Sequence, residues 1–226
     1  MDAAQIIAAA RKQGRRALSE YTAKQVLGNY GIPTAREVLA EYSAQAVTAA
    51  RDIGYPVVLK ACSATLMHKS EKGLVALGIT DDAAVETACE RSFREAGEEL
   101  EGILVQEMVS GNRELVVGMN RDPQFGPCVM LGLGGVMTEI FRDTVFRMAP
   151  IDATEAADMA DQLKSKKIFD AFRGERPADR PALYRCLTAV GQIALDHETV
   201  SEIDINPVII TKEGEVTAVD ALIVLA

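Results

Sequence analysis

Ser201-Glu202-Ile203-Asp204-Ile205-Asn206-Pro207-Val208-Ile209-Ile210, residues 201–210, alternates polar and apolar side chains as far as Asn206 and then runs apolar. Alternate residues of a strand share a face. Ile203 and Ile205 therefore turn to a core, while Glu202, Asp204 and Asn206 point together the other way. Lys212-Glu213-Gly214 reads as a turn and Glu215 to Leu225 as the returning strand of a hairpin. If the turn has three residues, antiparallel pairing sets Asn206 opposite Asp220, and opposite residues share a face. A two-residue turn shifts that register by one. The face collects oxygen ligands and no lysine, which suits Mg²⁺, an ion that takes one or two carboxylates together with substrate phosphates. A solvated polar face on an edge hairpin fits the same pattern equally well.

Upstream, apolar β-branched runs alternate with amphipathic stretches. Pro56-Val57-Val58-Leu59-Lys60-Ala61 is a buried strand, and strands are also expected at 37–40, 73–80, 102–108, 114–119, 128–131 and 145–148. Helices are expected at the Ala-rich start, from the N-cap Ser19 to about Gly31, over 44–53, from Asp81-Asp82 to about Gly97, and over 152–164 and 179–196. Strands and helices mix without a strict βαβ repeat, so the fold class is α+β, with two lobes meeting near residue 110. Residues 1–17 form a helical extension, 18–110 the first lobe and 111–226 the second.

Composition narrows the function. The chain carries 24 Lys and Arg against 33 Asp and Glu, a net charge of −9, which repels a phosphate backbone and argues against nucleic acid as the main partner. The four cysteines are widely spaced, without metal-ligand spacing, as in buried thiols of a reducing cytosol. No run approaches the roughly 18 apolar residues of a membrane span, and a cytoplasmic protein is expected.

Lys60 inside an apolar run either snorkels to solvent or needs a partner or an anion. The polar segment after it, residues 61–72, holds His68, Lys69 and Lys72 and could fold over phosphate; by composition it is also an ordinary hairpin loop. Gly132, Gly134 and Gly135 in LGLGGVMTEIFRD could let backbone approach a ligand, or form a structural turn. No GxGxxG or Walker A loop is present.

Taken in order, YPVVLK, HKS, VQEMV, RELVVGMNRDPQFGP, GLGGVMTEIFRD and EIDINPVII resemble the β subunit of ADP-forming acetyl-CoA synthetases, from about Leu18 to the C-terminus. The closing segment is also similar to the succinyl-CoA synthetase β subunit, with its Asn and Asp fourteen residues apart, as Asn206 and Asp220 are. The resemblance implies an ATP-grasp fold of two α+β lobes and a ligase that passes phosphate between a phosphohistidine and ADP. In that reading Lys60 contacts the nucleotide phosphates, and Gln106, Glu107, Met108 and Val109 form a hinge whose backbone amides read the adenine edge. Glu114 holds the ribose and Asn206 and Asp220 bind Mg²⁺. Asp204 faces the phosphoryl group or orients a histidine, and His68 carries the phosphate. ATP or ADP and Mg²⁺ are the implied cofactors. A CoA-binding α subunit in an α₂β₂ assembly is the implied partner, because no dinucleotide-type glycine fingerprint follows the early strands. Another ATP-grasp carboxylate ligase and a non-catalytic nucleotide sensor are the alternatives.

Overall fold

The computed structural model describes residues 1–64, 74–96, 100–135 and 143–226. Among these residues the chain forms two compact units, one of Ser19–Tyr21 with Ala35–Met108, the other of Met1–Leu18, Thr22–Thr34 and Val109–Ala226.

The smaller unit is a four-stranded antiparallel sheet of β1 (Glu37–Ala40), β2 (Val57–Cys62), β3 (Val75–Ile79) and β4 (Gly102–Glu107), in the order β1-β4-β2-β3. Helices α3 (Ser43–Ile53) and α4 (Asp82–Ala96) contribute Ala46, Ala50, Val85 and Cys89 to its core, which the strands complete with Val57, Leu59, Ile103 and Val105. Gly54 ends α3 at φ 96°, a conformation only glycine takes without cost. The apolar composition of β2 follows from its central place, and all six of its residues are buried.

The larger unit is built on an antiparallel sheet in the order β10-β8-β5-β6-β7, with β9 also paired to β8. Its strands are β5 (Arg113–Asp122), β6 (Gly126–Leu133), β7 (Thr144–Met148), β8 (Val200–Ile210), β9 (Val216–Ala218) and β10 (Leu222–Leu225). Helices α1 (Ala3–Lys12), α2 (Glu20–Asn29), α5 (Ala153–Gln162) and α6 (Arg180–Asp196) share one core with it. Capping boxes at Asp2 and Asp152 start α1 and α5, and Asp179 accepts the Ala182 N–H at the start of α6. At the other end of α6, Arg121 donates to the carbonyls of Ala194 (2.6 Å) and Val200 (3.1 Å). The helix packs closely on the sheet at Gly191, where an added Cβ would sit 3.3 Å from Val129 Cγ2.

Two features differ from the sequence reading. Residues 1–18 and 22–34 group with the C-terminal unit instead of forming an extension and part of the first lobe. Leu18 N–H donates to the Ile223 carbonyl, Ala17 bridges Val224, Thr34 bridges Ala218, and Val26, Leu27 and Ile32 enter the larger core. The expected strand 215–225 is split in two, because Pro207 has no N–H to give the ladder opposite Val219.

Candidate functional site

In the smaller unit, Lys60 lies in β2 with its side chain only 7% exposed, so it does not snorkel. Its Nζ lies 2.6 Å from Oε1 of Glu20, itself 3% exposed at the start of α2. A charge so deprived of water needs this answer, and the pair fixes the ammonium in place. Sequence reasoning identifies Lys60 as needing a partner or an anion but misses Glu20, which no spacing rule connects to a strand forty positions on.

Gln106 is fully buried in β4. Glu107 ends the strand, where Arg36 clamps it: the Arg36 amide and Nε each donate to the carboxylate at 2.8 Å, and the Glu107 amide donates to the Arg36 carbonyl at 2.9 Å. The Glu107 N–H, expected to read adenine, is thus engaged inside the unit. Met108, 45% exposed, and Val109 follow beyond the end of the strand. Arg36 also donates to the Ile53 carbonyl at 3.2 Å.

The larger unit carries the remaining described candidates. Asp204 pairs across the sheet with Gly118 and Leu222, and Glu202 with Asn120 and Val224. Leu115, Val117, Ile203 and Ile205 turn into the helix-covered core. By alternation Glu114, Glu202, Asp204 and Asn206 occupy the opposite face. Val208–Ala218 and Leu222–Asp204 have the register that a three-residue turn sets, and the Asn206 amide donates to the Asp220 carbonyl at 3.3 Å. Burial first, then the charges of Glu202 and Asp220, hold the Asp204 carboxyl above its ordinary value.

That repulsion is a direct test of fit for a cation. Crowded acids next to an amide oxygen are a hard-oxygen donor set, and positive charge among them relieves the strain that raises Asp204. Among the described residues no group of three or more His, Cys, Asp and Glu side chains forms a metal cage.

The glycine motif acts through Glu114. Gly134 donates its N–H to the Glu114 carbonyl at 2.7 Å, and a Cβ there would lie 2.8–2.9 Å from backbone atoms of Glu114 and Leu115. At Gly135, φ 70°, a Cβ would come 2.9 Å from Glu114 Oε2. The sequence singles out these glycines without showing what they approach. His197 is the C-cap of α6, with Nε2 3.0 Å from the Tyr30 hydroxyl, which donates to Asp196. His68, Lys69 and Lys72 lie outside the described residues.

Residues 9–225 match the model of the ATP-grasp domain family. The β subunit of acetate–CoA ligase [ADP-forming] I from Pyrococcus furiosus is 40% identical over 95% of this chain and 94% of its own. The chain belongs to the ATP-grasp family of ADP-forming acyl-CoA synthetase β subunits. The fold agrees with that membership. Acetyl-coenzyme A synthetase 1 of Ca. Korarchaeum cryptofilum, solved with coenzyme A, Ca-AMPCP and HgCl⁺, superposes with a TM-score of 0.92 at 40% identity, covering 98% of this chain and 99% of that one. Another structure of that synthetase, with coenzyme A and Mg-AMPPCP, has its phosphohistidine segment pointing towards the nucleotide binding site (TM-score 0.87, 38% identity, 99% and 100% covered). The 4-hydroxybutyrate–CoA ligase [ADP-forming] of Nitrosopumilus maritimus is 38% identical over 91% of this chain, which spans only 30% of that ligase's length. Among the described residues of this ATP-grasp β subunit, no helix is long and apolar enough to cross a membrane.

Proposed function

We propose that this chain is the nucleotide-binding half of an ADP-forming acid–CoA ligase and moves a phosphoryl group between His68 and ADP. The observation that carries the reading is the polar face of the larger sheet. There Glu114, Asp204 and Asn206 share a face by alternation, with Asp220 close enough for its charge to act on Asp204, in a chain about 40% identical to such β subunits along its length. In the ATP-forming direction the P–N bond of phosphohistidine breaks, a P–O bond to the terminal phosphate of ADP forms, and a neutral imidazole is left. Imidazole suits this role because its unperturbed pKa of about 6.5 keeps a nucleophilic nitrogen available near neutral pH.

Each residue has a physical task. Lys60, held by Glu20, presents fixed positive charge to the nucleotide phosphates. Gln106 and Glu107, buried and clamped, hold Met108 and Val109, whose backbone reads the adenine edge. Glu114, backed by Gly134 and Gly135, accepts the ribose hydroxyls. Asn206 and Asp220 would hold Mg²⁺, which supplies charge neutralisation to the phosphates when bound. Asp204, already crowded by acids, orients His68 or faces the transferred group.

CoA binding, acyl phosphate formation and the first phosphohistidine fall to a separate CoA-binding α subunit in an α₂β₂ assembly. The isolated chain is accordingly expected to make no acyl-CoA.

Incubation of the chain with Mg²⁺ and γ-labelled ATP tests the reading. An acid-labile, base-stable label should appear, vanish in His68→Asn and persist in His197→Asn, whose histidine caps a helix. Full labelling of His68→Asn, with ATP synthesis retained alongside the α subunit, would exclude the relay.

A further inference from the structure

One turn of the larger unit is strained, exposed and firmly anchored at once. In Phe172-Arg173-Gly174-Glu175 the Glu175 N–H donates to the Phe172 carbonyl at 2.9 Å and the Phe172 N–H to the Glu175 carbonyl at 3.3 Å. Both central residues have positive φ, 48° at Arg173 and 86° at Gly174. Turns of this kind favour Asn or Gly at the first of these positions. Arg173 is the only non-glycine residue with positive φ among the described residues. A side chain in that conformation persists where its surroundings over-determine it.

The surroundings do so. Arg113 of β5, its side chain 7% exposed, has Nε 3.0 Å from the Glu175 carboxylate. Its guanidinium also donates to the carbonyls of Ile168, Asp170, Arg176 and Thr211. Beyond the turn, Arg176 N–H donates to Lys212 (2.8 Å) and Asp179 N–H to Gly214 (2.7 Å). A Cβ on Gly214 would lie 2.1 Å from the Pro177 carbonyl oxygen, so the loop presses directly on the β8–β9 turn.

What this anchoring presents to solvent is Phe172, 58% exposed, with the Arg173 guanidinium 5.1 Å over its ring. Residues 164–180 hold six Lys and Arg against three acids in a chain of net charge −9, and of the six Arg180 is paired with Asp161 at 3.0 Å. Of the three acids, Glu175 faces Arg113 and Asp179 caps α6. Exposed aromatic and arginine side chains dominate interface hot spots, and rigid presentation lowers the cost of ordering them on binding.

The occupant follows from the relatives. In the Nitrosopumilus ligase this module is about 30% of a single chain, whereas in Pyrococcus it is a separate β subunit, which must hold its counterpart by surface contacts. We propose that the Phe172–Arg173 knuckle docks into an apolar pocket rimmed by carboxylates on the CoA-binding chain. The inference rests on the subunit reading above, and charge complementarity sets the acidic character of the socket.

The test uses the full-length chain and its cognate CoA-binding chain, with Phe172→Ala and Arg173→Gly as variants. Phe172→Ala should raise the Kd of the complex about tenfold or more. Arg173→Gly should also raise it and flatten its salt dependence, while the melting temperature holds or rises because glycine accepts positive φ freely. ADP affinity should stay unchanged in both. If wild type forms the complex and both variants bind as tightly, the docking role is overturned and the subunit reading stands. The docking role is equally overturned if the variants lose only ADP affinity or only self-association. If wild type does not bind the CoA-binding chain at all, both are overturned.

Discussion

Replacing one member of the buried Glu20–Lys60 pair should destabilise the chain far more than replacing both. At 2.6 Å and an effective dielectric of about 20, two unit charges attract by roughly 6 kcal/mol. Side chains 3% and 7% exposed have given up most of their hydration to reach that geometry, and the desolvation cost offsets much of the attraction. Removing one partner takes an opposite charge at 2.6 Å away from a group that stays buried, at a cost of about 3–5 kcal/mol. Glu20→Gln keeps volume and one acceptor and should fall near the lower end. Lys60→Met takes the ammonium from a carboxylate only 3% exposed and should fall near the upper. Glu20→Leu with Lys60→Met removes both charges and should cost about 1 kcal/mol, since an apolar pair of similar volume fills the space. Urea unfolding followed by circular dichroism, with the slope m checked for constancy, gives the three differences for a double-mutant cycle. Single costs below about 1 kcal/mol, or a double variant as damaged as the two singles combined, would refute the picture of a coupled, desolvated pair. Nucleotide affinity supplies the functional readout. Lys60→Met should abolish ADP binding, and Glu20→Gln should weaken it by freeing the ammonium from its fixed position.

Asp204→Asn should stabilise the chain in metal-free buffer near pH 7 while abolishing phosphoryl transfer. The folded carboxyl titrates above the roughly 3.9 of an unfolded aspartate, so wild type loses stability as pH rises through the folded value. The gain should therefore vanish near about pH 3, and melting temperatures across the pH range check the sign. Gly134→Ala should cost about 1–3 kcal/mol, because its Cβ meets β5 backbone that cannot give. Gly135→Ala should cost only about 1 kcal/mol, since it meets the movable end of Glu114 and chiefly strains φ. Thermal unfolding of the two variants tests that order.

What the sequence makes legible follows short-range rules. Period-two alternation in β8 and the length of the Lys212-Glu213-Gly214 turn set the faces and the register, and the pairing of Val208 with Ala218 and of Asp204 with Leu222 has that register. The run Val57 to Ala61 announces a strand buried on both sides, and β2 is central in its sheet. The missed contacts all depend on which distant segment arrives at a residue already singled out. Glu20 reaches Lys60, Arg36 reaches Glu107, and Gly134 reaches Glu114, at separations where neither helical nor strand period carries information. The amphipathic face of α2 declares that Val26 and Leu27 are buried without saying under which sheet, so local pattern alone assigns the N-terminal segment to the wrong neighbour. These long-range contacts are also where the proposed site acquires its precision. Lys60 draws notice from local pattern, Glu107 and Glu114 only from the family resemblance, and each is held by a partner that only the fold supplies. Removing a named residue tests a role. Removing Glu20, Arg36 or Gly134 tests whether that role depends on position, and a site built on fixed charges and clamped backbone requires that it does.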